Sequence, residues 1–314
     1  MSKYAVVFPG QGSQAIGMLA DLAPDHPVVE QTFSQASEIL GYDLWDLVQN
    51  GTVEDLSQTH ITQPALLATS VALWRIAAAK ETFKPSLLAG HSLGEYSALV
   101  CAGVIKFEDA IALVELRGQL MQQAVPQGIG AMAAVIGLDN DATIAACVKA
   151  AEEEVVSAVN FNSPGQVVIA GNKAAVARAS ELCIEAGARR VMPLPVSVPS
   201  HCSLMKPAAD ELKIALQQVI FNTPVIKLIN NVDVASPTDS DSIKDALIRQ
   251  LYMPVRWTEV IEAMAKEDIT ALYEFGPGKV LTGLVKRIDK TIKGSAVNNQ
   301  ATFADFCITV GINK

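Results

Sequence analysis

The stretch Ser86-Leu87-Leu88-Ala89-Gly90-His91-Ser92-Leu93-Gly94-Glu95-Tyr96-Ser97-Ala98-Leu99-Val100-Cys101 decides how the rest of the chain is read. Ser86 to Ala89 is a short apolar run that predicts a buried strand, and Glu95 to Cys101 is compatible with a helix. Between them Gly90-His91-Ser92-Leu93-Gly94 fits the pattern G-x-S-x-G. In a strand–turn–helix setting the two glycines let the chain reverse sharply at the serine. That turn lifts Ser92 Oγ out of the fold and brings the next backbone N–H close to a reacting oxygen. The pattern alone is common in proteins, so its weight comes from the strand before it and the helix after it.

A serine hydroxyl is a weak nucleophile at neutral pH and needs a base within hydrogen-bond reach, most often histidine. The chain has four histidines. His91 adjoins Ser92, where successive side chains on a turn diverge, so its expected role is to orient the loop. His26 and His60 lie in polar, loop-like surroundings. His201 follows the rigid segment Pro195-Val196-Ser197-Val198-Pro199-Ser200 and is the candidate base. Arg117 stands out in a different way, as a guanidinium within the apolar helical stretch Ala110-Ile111-Ala112-Leu113-Val114-Glu115-Leu116. A buried guanidinium needs an anionic partner, which leaves a pair with Glu115 or another carboxylate open beside a carboxylate ligand.

Outward from the serine, Tyr4 to Phe8 is an apolar run ended by Pro9-Gly10. Helical stretches run from Pro64 to about Lys80 and from Phe107 to Val125. From Met132 to Val196 the expected order is strand, helix, strand, strand, helix, strand, with Asn162-Ser163-Pro164-Gly165 turning the central hairpin. This β-α-β-β-α-β order is the ferredoxin-like arrangement. Beyond it a helix from Ser203 to Val219, a strand at Val225 to Ile229 and a helix from Asp241 to Leu251 resume α/β alternation. A strand at Ala271 to Phe275, closed by Gly276-Pro277-Gly278, precedes a last long helix. The expected fold is α/β: a large α/β-hydrolase-like domain with a parallel sheet (1–127 and 198–314) and an inserted small ferredoxin-like domain (128–197).

Composition narrows the function classes. The 314 residues are half apolar and 18% charged, as in a globular enzyme. Lys and Arg total 24 against 33 Asp and Glu, a net charge of −9 that would repel a phosphate backbone. Nucleic acid is therefore not an expected partner. Five cysteines, odd in number and without C-x-x-C spacing, predict free thiols in a reducing compartment. No apolar stretch approaches the ~18 to 20 residues of a spanning helix, and the start lacks a signal-peptide pattern. The expectation is a cytoplasmic protein without membrane association.

The motifs taken together resemble the malonyl-CoA:acyl carrier protein transacylase family. They are Phe8-Pro9-Gly10-Gln11-Gly12-Ser13-Gln14, Ile61-Thr62-Gln63-Pro64-Ala65, Gly90-His91-Ser92-Leu93-Gly94-Glu95-Tyr96, Arg117-Gly118, Asn162-Ser163-Pro164-Gly165-Gln166, Pro199-Ser200-His201 and Gly276-Pro277-Gly278. They span nearly the whole chain in order. The resemblance implies that Ser92 is acylated, that His201 acts as base and then acid, and that the amides of Gln11 and Leu93 form the oxyanion hole. It implies that a main-chain carbonyl at Gln250 orients the histidine and that Arg117 holds the malonyl carboxylate. Gln63, Asn160 and Gln166 would contact substrate, the last two at the pantetheine entrance. No cofactor is implied. The substrates are malonyl-CoA and an acidic, transiently bound acyl carrier protein of fatty-acid biosynthesis, docked on basic residues such as Arg190, Lys286 and Arg287.

Three other readings compete. Gly10-Gln11-Gly12-Ser13-Gln14-Ala15 fits the G-x-G-x-x-A form of a dinucleotide fingerprint after a strand, although no second strand ends in an acidic residue about 20 positions on. A thioesterase would use the same serine and histidine and let water deacylate the enzyme. A noncatalytic carrier-docking module is the third.

Overall fold

Tyr4–Phe8 alternates its side chains between two cores, as a strand buried on both faces must. Val6 and Phe8 pack with Leu88 and many helical residues, while Ala5 and Val7 pack with Leu87, Ala89, Trp257 and Leu272. The structure, a computed structural model, describes residues 3–196 and 198–312. In chain order the strands are β1 (Tyr4–Phe8), β2 (Leu87–Gly90), β3 (Gly130–Ile136), β4 (Val156–Ser163) and β5 (Gln166–Asn172). They continue with β6 (Arg190–Pro193), β7 (Leu228–Ile229), β8 (Ala271–Phe275) and β9 (Lys293–Val297). Among the described residues they form two sheets. One is parallel, in the order β7-β2-β1-β8-β9, and the other is antiparallel, in the order β4-β5-β3-β6.

This is a mixed α/β fold. The parallel sheet carries helices on both faces, and its central strands β1 and β2 end side by side at the same edge, with Phe8 paired to Gly90. Residues just past the carboxyl ends of such strands are where open α/β sheets present their ligand sites. In the antiparallel sheet Ala133, Val135 and Ile169 face the helices Asn140–Ala151 and Lys173–Glu185. Met132, Ala134, Val159 and Val168 turn the other way and pack with Cys202. The segment before the helix Trp257–Lys266 is tied to β4 by backbone bonds, Phe161 N–H to the Val255 carbonyl and Val255 N–H to the Val159 carbonyl.

Several boundaries differ from expectation. The first long helix begins at Thr59 and carries Pro64 inside it. The strand expected at Val225–Ile229 is only Leu228–Ile229, because Val225 is exposed and its N–H bonds the Ala102 carbonyl instead of a strand partner. The strand expected to reach Val196 stops at Pro193, where Pro193 and Pro195 supply no N–H to a ladder. The expected last long helix is two, Val280–Ile288 and Gln300–Val310, separated by β9. Asp289 breaks it by accepting bonds from the Thr291 N–H and hydroxyl. The dinucleotide reading fails here as well. The first helix after Gly10-Gln11-Gly12 begins at Val28, so those glycines feed no helix N-terminus that could hold a pyrophosphate.

Candidate active site

Gly90 ends β2, Ser92 turns the chain and Gly94 opens the helix Gly94–Cys101. Ser92 has φ of +51°, a conformation costly for a residue with a Cβ. The flanking glycines are required by contact. A Cβ on Gly90 would lie 1.8 Å from the Gly94 carbonyl carbon, and one on Gly94 would lie 2.0 Å from the Phe8 oxygen. The elbow is held from outside by Asn231, which follows β7. Its Oδ1 accepts the Ser92 N–H at 2.7 Å and its Nδ2 donates to the Gly90 carbonyl at 2.7 Å.

His201 also sits at positive φ, +67°, and its N–H bonds the Leu251 carbonyl. Its Nδ1 donates to the Gln250 carbonyl at 2.6 Å. That bond fixes the tautomer and leaves the Nε2 lone pair toward Ser92 Oγ, 2.8 Å away. Burial, and next the nearby Arg117 charge, push His201 down to about 3. The imidazole is therefore neutral, and able to accept a proton, throughout the neutral range. His91 is not in reach of the serine proton. Its Nε2 pairs with Asn162 Oδ1 at 2.8 Å and its ring packs edge-on to Trp257, so it ties the elbow to β4.

Arg117 is buried on the helix Phe107–Ala124, yet among the described residues it forms no salt bridge. The Glu115 pairing left open by the sequence is not made. Instead Nη1 donates to Gln63 Oε1 at 2.8 Å, while Nη2 donates to Gln250 Oε1 at 3.2 Å and to Ser92 Oγ at 3.4 Å. The guanidinium lies over the Tyr96 ring, and its Nε has no hydrogen-bond partner among the described residues. A buried cation held by neutral amides beside the serine is matched to an anion delivered from outside.

These groups open into one cleft lined by Gln11, His91, Ser92, Leu93, Arg117 and Asn160, together with Met121, Met132, Leu194 and His201. The antiparallel sheet contributes Met132 and Asn160 to this wall, and Asn160 Oδ1 is buried without a partner among the described residues. Gln11 follows β1, and Leu93 caps the helix Gly94–Cys101, where the first N–H groups have no intrahelical acceptor. The remaining two candidates stand elsewhere. Gln63 is fully buried behind Arg117, and Gln166 lies at the hairpin end of β5 with its Oε1 bound to Arg287. Asn231 and Glu95 were not singled out from sequence as site residues. Both were findable: Glu95 is an acid in the apolar helix behind the serine, and Asn231 stands just past a parallel strand.

A hydroxyl on a strained elbow, an oriented neutral imidazole and a buried cation beside them are the equipment of a serine-based acyl-transfer enzyme. The acyl transferase domain family matches residues 5–301, and the chain belongs to that family, within it to the malonyl CoA-acyl carrier protein transacylases. It is 63% identical over 306 residues to the malonyl CoA-acyl carrier protein transacylase of Haemophilus influenzae, covering 96% of this chain and 97% of that one. It superposes with a TM-score of 0.95, at 67% identity, on the crystal structure of an acyl carrier protein S-malonyltransferase from Vibrio cholerae, covering 97% of this chain and 100% of that one. A malonyl-transacylase solved in complex with its type II PKS acyl carrier protein gives a TM-score of 0.96 at 60% identity, with 96% and 98% covered.

Proposed function

We propose that the protein moves the malonyl group of malonyl-CoA to the phosphopantetheine thiol of an acyl carrier protein, in fatty-acid biosynthesis, through an ester on Ser92. The observation that carries this reading is the convergence on one oxygen: Ser92 Oγ lies 2.8 Å from His201 Nε2 and 3.4 Å from Arg117 Nη2. Arg117 holds the malonyl carboxylate through its two-pronged fork, which sets the thioester carbonyl against Oγ. The hydroxyl proton passes to His201 Nε2 as Oγ attacks the carbonyl carbon. The oxygen that becomes negative is received by the Gln11 amide just past β1 and the Leu93 amide at the helix N-terminus. Collapse breaks the C–S bond, and the proton on His201 leaves with CoA as its thiol. In the second half, the carrier thiol gives its proton to His201 and attacks the ester. Ser92 recovers that proton as the malonyl thioester departs. The cycle balances with no cofactor.

The arrangement supports reading residues 1–127 and 198–314 as a large α/β-hydrolase-like domain and 128–197 as an inserted ferredoxin-like one. In the latter the antiparallel strand order 2-3-1-4 follows from β-α-β-β-α-β connectivity. Asn160 and Gln166 belong to this unit and are carried over as pantetheine-entrance residues, a reading supported for Asn160 by its place on the cleft wall. Gln63 reaches substrate only through Arg117. The exposed Arg190, Lys286 and Arg287 are the docking cations for an acidic carrier. A cytoplasmic setting suits the five free thiols.

Mixed with excess malonyl-CoA and no carrier, the enzyme is expected to release about one equivalent of CoA and then stall, as a stable acyl-enzyme requires. Adding the phosphopantetheinylated carrier restarts release. Continuous release without any carrier would assign hydrolysis instead.

A further inference from the structure

Among the described residues Glu95 is the one acidic side chain built into the buried network behind the cleft, and the mechanism above does not use it. It is 2% exposed, on the helix that opens at the serine elbow. Its Oε2 accepts from the Asn231 backbone N–H at 2.9 Å and from Gln250 Nε2 at 2.9 Å. Each donor belongs to a residue that positions a reacting group. Asn231 holds the Ser92 N–H and the Gly90 carbonyl. Gln250 gives its carbonyl to His201, its Oε1 to Arg117 and its Nε2 also to the Ser92 carbonyl at 3.1 Å. A carboxylate acceptor dictates which end of the Gln250 amide faces it, and so turns Oε1 toward the guanidinium.

We propose that Glu95 is a positioning and specificity residue: it orients Gln250 and Asn231, and its charge balances Arg117 until the malonyl carboxylate enters, when Glu95 takes up a proton. The proposal rests on the reading of Arg117 as the carboxylate holder. One buried guanidinium cannot offset two carboxylates when Glu95 is itself buried, so one of the two must be neutralised. Glu95 can accept the proton with both bonds still in place, because both end on Oε2 and protonating Oε1 breaks neither. Burial raises its carboxyl to about 7, against the hydrogen bonds from Gln250 and Asn231 and the charge of Arg117. Of the groups around it, Arg117 favours the ionised form and Asp233 opposes it. Asp233 is itself bound by Arg249. On the packed helix Thr59–Ala78, Arg75 is engaged by Thr32, Gln35 and the Phe107 ring, and His60 lies in the first turn. β1 and β2 bring to it no charged side chain.

The sign follows directly. Below about pH 7 Glu95 is neutral and malonyl faces Arg117 alone; above it the ionised Glu95 repels the incoming carboxylate. The test is the ratio of kcat/KM for malonyl-CoA to that for acetyl-CoA across roughly two pH units on either side of neutrality, since titration of His201 or CoA cancels in the ratio. In the unmodified enzyme the ratio is expected to fall by roughly tenfold as pH rises. Glu95→Gln keeps an acceptor for both donors and removes the charge, so its ratio should be flat and at the high, low-pH level. Glu95→Ala should lower kcat for both acyl groups by roughly tenfold to a hundredfold, and Glu95→Gln should restore most of it. A flat ratio in the unmodified enzyme, or a fall that survives Glu95→Gln, overturns the proposal. An Arg117→Ala enzyme whose ratio stays high would instead overturn the reading of Arg117 beneath it. Should the Glu95 variants not fold, calorimetry on Ser92→Ala in two buffers of different ionisation enthalpy decides. Malonyl-CoA binding should take up a proton near pH 7.5 where acetyl-CoA does not, and equal uptake for both refutes the mechanism.

Discussion

Ser92→Ala is expected to lower kcat for malonyl transfer by on the order of 10⁶, the loss seen when a serine that works as a unit with its base is removed. The hydroxyl is the atom on which the imidazole and the guanidinium both converge. Without it Arg117 and the amides at the helix N-terminus still bind and polarise the thioester, but no ester forms. If acylation uses Ser92 and His201 as one unit, His201→Ala should cost nearly as much, and the double variant should be no worse than Ser92→Ala. His91→Ala should cost far less, since His91 is spent on Asn162 and Trp257. Single-turnover acylation of the four variants, with melting curves beside them, checks the set. Losses that add would mean that serine and histidine act independently.

Arg117→Ala is the second large effect. If the guanidinium pairs with the malonyl carboxylate, its removal leaves that carboxylate desolvated and unpaired, a cost of roughly 3 to 5 kcal/mol by analogy with broken buried pairs. At tenfold per 1.4 kcal/mol, malonyl transfer should fall by about 10² to 10³ or more. Acetyl has no carboxylate to lose, so its transfer should stay near its own low rate and the preference should invert. The structure sharpens this expectation. A structural ion pair at Arg117 would have lowered both substrates together, and the guanidinium is held instead by the amide oxygens of Gln63 and Gln250. Comparing kcat/KM for the two thioesters settles it, and parallel losses would end the claim of carboxylate recognition.

Much of this site is legible in the sequence. The elbow was readable because its requirement is local: only glycine fits where a Cβ would meet the Gly94 carbonyl carbon or the Phe8 oxygen. Arg117 was readable as an anomaly, the one basic residue of the helix Phe107–Ala124 and set in its apolar stretch. Its partners were not, because Gln63 and Gln250 lie 54 and 133 positions away and meet it only in the folded chain. The same holds for Asn231, whose grip on the Ser92 amide spans 139 positions. Strand β9 escaped notice because Lys293-Gly294-Ser295-Ala296-Val297 is an edge strand with little apolar pattern, buried only at Val297 and in part elsewhere. The helices Val28–Leu40 and Leu44–Asn50 were likewise not assigned. The placements of Gln63 behind the cation and Gln166 at a hairpin end show the limit of carrying a motif across: the residue type matches, but which way it faces is tertiary.

The central claim is a malonyl ester on Ser92 that moves to a carrier thiol, and intact mass with peptide mapping tests it most directly. After mixing with malonyl-CoA the chain should gain about 86 Da, the mass of one malonyl group, on the peptide containing Ser92. The gain should leave the enzyme and appear on the phosphopantetheinylated carrier once that is added. The rival nucleophile beside the base is Cys202, a buried thiol pushed up to about 11 and bonded to the Pro199 carbonyl. An adduct mapping to Cys202, or one that stays on the enzyme when the carrier is present, would contradict the account.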